Sequence, residues 1–197
     1  GFSKPVVLDL LDKRTQESSS SQNFENLWVE SGFVYFQRNY RFCRELPPGD
    51  RSGTINLLLN PEFFEHAPVL FEDISEVDRL WRKELDPYHV PLPDLTEMAE
   101  YIKIGQLHCI RNASGKIEAA YRFEVKGRSG YFWQVVVDSG CREREKALDI
   151  LNKQYLLHPE VTSFNFWIGE KNMKLIKVVL KLGYVQDSLI NTQYILR

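Results

Sequence analysis

The middle of the chain alternates between apolar and polar residues with a period of two. In KIEAAYRFEVK one face carries apolar side chains and the other mainly charged ones, namely Ile117, Ala119, Tyr121, Phe123 and Val125 against Glu118, Arg122, Glu124 and Lys126. This pattern is typical of a strand with one buried face. The next stretch, YFWQVVVD, is a nearly continuous apolar run and predicts a central strand. Further strands are predicted at APVLFEDI, QLHCIRN and VTSFNFWI.

Four segments carry apolar residues at helical spacing. The first follows Ser75, a candidate N-cap, and the second runs from a cap at Asp94 to Gly105. A third helix is predicted from about Arg142 to Leu157, and a fourth ends before Gly183. The residues predicted to form their apolar stripes are Val77, Leu80, Trp81 and Leu85 in the first, Leu148, Leu151 and Tyr155 in the third, and Leu175, Ile176, Val179 and Leu180 in the fourth.

The resulting order from Ala67 to Arg197 is β-α-α-β-β-β-α-β-α-β-β, in which YVQDS and NTQYILR form a terminal hairpin. Three consecutive antiparallel strands in the middle indicate an α/β layer fold of the α+β type with a mixed sheet. Neither a Walker-type GxxxxGK[ST] segment nor GxGxxG occurs in the sequence. The order therefore argues against a doubly wound nucleotide-binding fold.

Composition narrows the function classes. With 197 residues, 43% hydrophobic and 26% charged, the chain is expected to fold as one domain or one plus a fragment. A net charge of -2 argues against a nucleic-acid binder with a broad basic face. The sequence has no apolar run long enough for a membrane span and no signal peptide, so neither is predicted. Three distant cysteines, Cys43, Cys109 and Cys141, predict a reducing, cytoplasmic setting. Because the first residue is Gly1, the chain is expected to be a tagged protein or to begin inside a longer one.

Two segments carry a resemblance to a known family. The first, VVVDSGCREREKALDIL, combines a β-branched strand end, a turn and an amphipathic helix; the second is EKNMKLIKVVLKLGY. Together with the element order, they resemble the GNAT acyltransferase superfamily from Ala67 to Arg197. The family's donor loop reads Arg or Gln, two residues, Gly, one residue, then Gly or Ala. Arg142 and Ala147 match its ends, whereas Glu145 occupies the required glycine and Glu143 a position where glycine is frequent.

In the second segment the matches to the family are Asn172, Lys181, Gly183 and Tyr184. Leu175 replaces an alanine, and Val179 stands where the family often has a tyrosine that protonates the leaving thiolate. The resemblance implies an acyl-CoA or acyl-carrier donor and a small-molecule or peptide amine acceptor. The residues implied in donor binding are Val135, Val136, Val137, Arg142, Arg144, Ala147 and Asn172.

An attacking amine needs a proton acceptor, and Glu118, Glu124 and Gln134 are the candidates on the central strands. The more common role for Glu118 and Glu124 is a solvated or cross-strand paired carboxylate. His108 is a weaker candidate base. It precedes Cys109, but no further ligand stands at metal spacing, so no metal site is predicted.

Glu143 and Glu145 decide between two hypotheses. Acidic residues stabilise the first helical turn by about 0.3–1 kcal/mol each. Against a bound diphosphate, however, each costs about 1 kcal/mol in water-like surroundings and about 4 kcal/mol at an effective dielectric constant of about 20. The sequence therefore predicts an N-acyltransferase with a degenerate donor loop, and the alternative is an inactive GNAT-like binding or assembly module. A third possibility places the donor site in a missing part of a longer tandem protein.

Residues 1–46 resemble the end of the same unit. PVVLDLLDK matches VTSFNFWI in position, and GFVYFQRNYRFCREL parallels GYVQDSLINTQYILR. This interpretation predicts a partial GNAT copy at 1–46, a linker at 47–66 and a complete GNAT-like domain at 67–197, a tandem arrangement. The alternative is a helix–hairpin extension on a single domain.

Overall fold

The computed structural model describes residues 6–13, 19–49, 64–85, 92–141 and 145–196. Within these ranges lie eight strands and five α-helices, in the order β1 (Val7–Lys13), α1 (Ser19–Glu30), β2 (Phe33–Glu45), β3 (His66–Pro68), α2 (Ile74–Glu84), α3 (Leu95–Lys103), β4 (Leu107–Arg111), β5 (Ile117–Lys126), β6 (Ser129–Val137), α4 (Lys146–Leu157), β7 (Ser163–Gly169), α5 (Met173–Lys181) and β8 (Val185–Leu196). The chain divides into two compact units: Gly1–Arg44 with Asn165–Arg197, and Glu45–Phe164. The predicted α+β class is confirmed.

Four antiparallel strands form the sheet of the Glu45–Phe164 unit, in the order β6-β5-β4-β3. One row of residues crosses all four strands: Ala67 lies opposite Cys109, Cys109 opposite Ala120, and Ala120 opposite Val136. Cys109, Ala120 and Val136 are almost inaccessible to solvent. This row is the floor on which the helices pack.

Helices α2 and α3 cover that row with a narrow apolar stripe. Val77 and Trp81 of α2 and Met98 of α3 are at most 1% exposed and pack with Ala120 and Val136. Full burial of one such side chain contributes about 1.5–3 kcal/mol, so this contact stabilises the packing of α2 and α3 on the sheet. The predicted burial of Val77, Leu80 and Trp81 is confirmed. None of the described helices is long and apolar enough to cross a membrane.

The start of this region differs from the prediction. The strand is shorter than APVLFEDI, covering His66–Pro68, and a single 3-10 turn, Phe71–Asp73, follows it. Helix α2 then begins at Ile74, with Asp73 rather than Ser75 as its N-cap residue. The Asp73 carboxylate stabilises this turn, because it accepts a hydrogen bond from the Leu70 N–H and forms an ion pair with Arg111.

In the other unit the strand order is β1-β8-β2-β7. Its two β-α-β segments, β1-α1-β2 and β7-α5-β8, have the same element order, and each helix is followed by a glycine with positive φ, Gly32 at 89° and Gly183 at 82°. If β1 is exchanged with β7 and β2 with β8, the strand order becomes β7-β2-β8-β1. This is the observed order read from the opposite direction. The interpretation of residues 1–46 as a partial second copy, with the domain boundaries given above, stays a prediction.

The predicted terminal hairpin is wrong, because Val185–Leu196 is one strand. Its turn-forming residues have partners on the flanking strands: Asp187 pairs with Arg41 of β2, and Asn191 donates to Asp9 of β1 at 3.1 Å. Residues 33–45 likewise form one strand, so the helix–hairpin alternative for the N-terminal segment is also wrong. Pairing on both sides keeps a polar strand extended where isolated residues would turn.

Two predicted apolar stripes are also corrected. In α4 the predicted Leu148 and Leu151 are only half-buried, and the fully buried residues are Lys146, Asp149, Ile150, Gln154 and the predicted Tyr155. Polar residues are tolerated there because each has a charged or hydrogen-bonding partner, described below. In α5 only Val179 is buried, while Leu175 and Leu180 are 41% and 50% exposed. Helix α5 therefore packs through a narrower stripe than predicted.

The cap of α3 gives a test of this local structure. The Asp94 carboxylate accepts hydrogen bonds at 2.9 Å from the N–H groups of Thr96 and Glu97, and the Glu97 carboxylate accepts one at 2.8 Å from the Asp94 N–H. We expect Asp94→Ala to lower the free energy of unfolding by about 0.5–2 kcal/mol. Urea denaturation measures it. The control is Asp78→Ala, which removes an exposed ion pair with Arg82 and should cost about 0.5 kcal/mol or less. Equal losses in the two variants would contradict the capping role.

Candidate functional site

The candidate site lies where β6 ends and α4 begins, within the Glu45–Phe164 unit. Strand β6 ends with Val135, Val136 and Val137. They lie opposite Tyr121, Ala120 and Ala119 of β5, respectively. The Val136 side chain points into the apolar core and is 3% exposed, whereas Val135 and Val137 are half-buried on the other face. The strand thus delivers the chain to the site in a fixed register.

Asp138, the residue directly after β6, is a carboxylate with several bonding partners. It is 8% exposed and pairs with the ammonium groups of Lys83 and Lys116, at 2.5 and 3.0 Å. It also accepts the Gly140 N–H at 3.0 Å. The hydrogen bonds from Lys83, Gly140 and Lys116 hold the pKa of Asp138 well below its ordinary value. The carboxylate is therefore ionised at all ordinary pH values and fixes the turn.

Three consecutive amides of this turn are bonded within the protein. The Ser139 N–H and hydroxyl donate to the Glu84 carboxylate at 3.0 and 2.8 Å. The Gly140 N–H donates to the Asp138 side chain, and the Cys141 N–H donates to the Asp138 carbonyl at 2.8 Å. Backbone N–H groups that already have such acceptors are not available to an anion unless those contacts break.

The next three residues, the predicted donor-loop positions Arg142, Glu143 and Arg144, lie outside the described residues. Glu145 follows as the N-cap residue of α4; it is exposed, and its side chain makes no capping hydrogen bond. Ala147, the predicted small position, is half-buried in the first helical turn. The first intrahelical bond described runs from the Asp149 N–H to the Glu145 carbonyl, so the earlier N–H groups of α4 lie at the open end of the helix.

Lys146, the first residue of α4, is a buried cation. It is 1% exposed, and its ammonium lies 2.6 Å from the Glu118 carboxylate, 3.1 Å from the Cys141 sulfur and 4.7 Å from the centre of the Phe64 ring. A buried charge needs a partner of opposite sign, and Glu118 supplies it. The sequence could not reveal Glu118 as a partner of Lys146, because Glu118 stands on a strand 28 residues away.

The two predicted catalytic carboxylates are both paired. The hydrogen bond from Lys146 is the largest cause of the lowered pKa of Glu118, and the Asn112 amide adds to it at 2.9 Å. For Glu124, burial acts to raise the pKa, but hydrogen bonds from Trp133 and Lys126 outweigh it and lower the pKa. Carboxylates held ionised in this way are weak proton acceptors near neutral pH. The third candidate, Gln134, lies buried in β6, 6% exposed.

A second polar cluster, which the sequence did not indicate, lies beside the site. The His66 ring is 2.7 Å from Asp149 through Nε2 and 2.9 Å from the Tyr121 hydroxyl through Nδ1, and Gln154 donates to that hydroxyl at 2.9 Å. Burial is the largest cause of the raised pKa of Tyr121. His108, the weaker candidate base, stacks on the Tyr121 ring at 5.2 Å, and burial lowers its pKa. The helical spacing of Asp149 and Gln154 could not reveal these partners on β3 and β5.

Asn172, the remaining predicted donor residue, belongs to the other unit. Its side chain accepts a hydrogen bond from the Leu175 N–H at 3.2 Å and so caps α5. Val179, on the same helix, is 2% exposed. In the described part of the chain, no three His, Cys, Asp or Glu side chains are grouped to hold a metal ion.

Solved structures share this arrangement of elements. A GCN5-related N-acetyltransferase from Sphaerobacter thermophilus aligns with a TM-score of 0.63 at 14% identity, over 98% of this chain and 61% of that chain. A protein of the GNAT family from Novosphingobium aromaticivorans gives 0.63 at 12% identity, over 98% and 75%. This chain has the GNAT fold. At 14% and 12% sequence identity, the similarity to these structures shows the fold alone.

A third structure with the GNAT fold is a tandem GNAT protein from the clavulanic acid biosynthesis pathway, with a TM-score of 0.61, 14% identity and coverage of 97% of this chain and 63% of that chain. The present chain thus spans less than two thirds of the Sphaerobacter and tandem proteins. No protein-family model and no curated protein sequence matches it.

The pairing of Asp138 predicts a pH-dependent stability. Because its pKa is lower in the folded chain than its ordinary value of about 3.9, its contribution is present above that pH and is lost as the pH falls through the folded-state value. We expect Asp138→Asn to lower the free energy of unfolding by about 1–3 kcal/mol at pH 7. Urea denaturation should show the difference from wild type shrinking below about pH 4.

The matched control is Glu100→Gln, whose partner Lys103 is exposed. It should change stability by about 0.5 kcal/mol or less at either pH. A loss for Asp138→Asn that stays constant or grows on acidification would contradict the ionised, paired state of Asp138.

Proposed function

We propose that the chain is a GNAT-type N-acyltransferase that moves an acyl group from acyl-CoA or an acyl carrier to a small-molecule or peptide amine. The observation that carries the proposal is the sequence of β6, turn and α4 in a chain with the GNAT fold. In the family that the chain resembles, this strand, turn and helix hold the acyl donor. A helix N-terminus is suited to a diphosphate because its N–H groups and dipole favour negative charge.

The proposed donor site offers fewer backbone amides to the donor than the family pattern implies. The amides of Ser139, Gly140 and Cys141 are bonded inside the protein, so they do not cradle the diphosphate. Donor contacts then fall to the backbone of Val135, Val136 and Val137 and to the start of α4, from Arg142 and Arg144 to Ala147. Asn172 is retained as the further donor residue that the resemblance implies.

The charges near the start of α4 favour weak donor binding. The Glu145 carboxylate is exposed at the N-cap, where a diphosphate would approach, and the Lys146 charge is already neutralised by Glu118. A second carboxylate, Glu143, stands two residues earlier in the sequence. If both approached a diphosphate to about 4 Å in water-like surroundings, they would cost about 2 kcal/mol in total, which lowers affinity about thirtyfold.

We do not propose Glu118 or Glu124 as the acceptor of the proton from the attacking amine. Both carboxylates are paired, and their lowered pKa values make them poor bases. Gln134 is an amide and has no basic group, so its proposed part is limited to hydrogen bonding. We propose that Glu118 acts in this site as the counter-charge of Lys146.

The alternative function is a GNAT-like binding or assembly module without catalysis. The observation that favours it is the occupation of the turn amides by Glu84 and Asp138, together with the carboxylate of Glu145 at the helix start. In such a module the turn would be a structural connection, stabilised by its own carboxylates rather than by a ligand.

Isothermal titration with acetyl-CoA and longer acyl-CoAs distinguishes the two functions. We expect wild-type protein to bind in the high micromolar to millimolar range and CoA to compete. Replacing Glu143 and Glu145 by glycine should tighten binding about thirtyfold, because two repulsive charges of about 1 kcal/mol each are removed. The matched control, Glu72→Gln with Glu100→Gln, removes two exposed acidic charges elsewhere and should leave affinity within about twofold.

The outcomes separate as follows. Turnover of an acyl donor by wild-type protein supports the acyltransferase and excludes the inactive module. Binding by the double glycine variant alone favours the module. Absence of heat and of CoA competition at millimolar concentration in wild-type and variant protein contradicts the acyltransferase.

A further inference from the structure

Three reactive groups meet beneath the start of α4. The Lys146 nitrogen lies 3.1 Å from the Cys141 sulfur and 2.6 Å from a Glu118 oxygen, and the same oxygen lies 3.6 Å from the sulfur. Cys141 is half-buried, and 19% of the Glu118 side chain is exposed. A small oxidant therefore has a path to the sulfur, while the amine is shielded from solvent.

Two features of the Lys146 environment act against its positive charge. Burial disfavours a positive charge, and so does its position at the N-terminal turn of a helix, the positive end of the dipole. Glu118 compensates for both effects by accepting a hydrogen bond from the ammonium at 2.6 Å. A neutral amine at 3.1 Å from sulfur is a nucleophile in place.

We propose that Cys141 and Lys146 form a covalent sulfur–nitrogen bridge, a sulfenamide, when the protein meets hydrogen peroxide. In the first step the sulfur attacks the peroxide, the O–O bond breaks, and Cys141 becomes a sulfenic acid with release of water; sulfur is oxidised and peroxide reduced. In the second step the Lys146 ammonium gives one proton to the sulfenic acid oxygen, and its nitrogen attacks the sulfur. The S–O bond breaks, water leaves, and the second ammonium proton passes to the solvent.

The bridge would change the charge of the site. It removes the Lys146 cation and leaves Glu118 with Asn112 as its remaining described partner. It also ties the first residue of α4 to the turn after β6, five residues earlier in the chain. The inference does not depend on the proposed acyl transfer, because all three groups belong to this chain and the oxidant is named.

Cys109 serves as an internal control. It is fully buried in the apolar core, and burial is the largest cause of its raised pKa, which leaves less thiolate to react. No lysine ammonium is described in contact with it. Peroxide should therefore oxidise Cys141 while Cys109 stays reduced.

Trypsin offers a direct readout, because it cleaves after Lys146 only when that amine is free. The folded full chain is treated with hydrogen peroxide, its remaining thiols are alkylated, and it is digested and weighed by mass spectrometry. We expect residues 129–142 joined to residues 145–153, uncleaved at Lys146, at a mass about 2 Da below the sum of the two peptides. Dithiothreitol should restore both the thiol and the cleavage.

Two variants make the result decisive. Cys141→Ser should cleave normally at Lys146 after peroxide, and Lys146→Arg, which keeps the charge, should carry Cys141 on to sulfinic or sulfonic acid. Circular dichroism confirms that each is folded. Wild-type protein in which Cys141 is oxidised or unchanged while Lys146 stays cleavable would overturn the proposal. So would a cleavage block that persists in Cys141→Ser.

Discussion

Buried charge at the carboxyl end of β6 has to be neutralised inside the protein, and the surrounding elements are held together by that requirement. Asp138 draws in Lys83 from α2 and Lys116 from the β4–β5 turn, while Lys146 at the start of α4 draws in Glu118 from β5. Removing Glu118 would leave the Lys146 charge desolvated, whereas Lys83 and Lys116 are about half exposed and would be hydrated without Asp138. Asp138 after β6 and Lys146 at the start of α4 are therefore each held by charges of opposite sign.

This arrangement engages the amides of the turn after β6 inside the protein. In the resemblance, the turn offers its amides to a diphosphate; here Glu84 and Asp138 accept the first two of them. The same carboxylates that stabilise the turn compete with any anion that approaches it. In the function that we propose, stability and donor affinity are thus opposed at this point of the chain, and the proposed donor site relies on the start of α4 and the backbone of β6.

Local features were predictable from the sequence, and distant partners were not. The alternation in β5 and the cap at Asp94 each depend on residues within one element, and the structure reproduces both. By contrast, Lys83 pairs with Asp138 across 55 residues, and His66 with Asp149 across 83. Because these partners are distant in sequence, the buried polar face of α4 could not be predicted. The single strand β8 was predicted as a hairpin because its partner strands lie at the other end of the chain.

The central claim is that an acyl donor contacts β6 and the start of α4 without displacing the carboxylates from the turn. Titrating CoA into nitrogen-15-labelled protein and following the backbone amide resonances tests it most directly. The account predicts shifts at Val135 to Val137 and at Lys146 and Ala147, with Ser139 and Gly140 unmoved. Shifts concentrated at Ser139 and Gly140, or no shift anywhere at millimolar CoA, would contradict it.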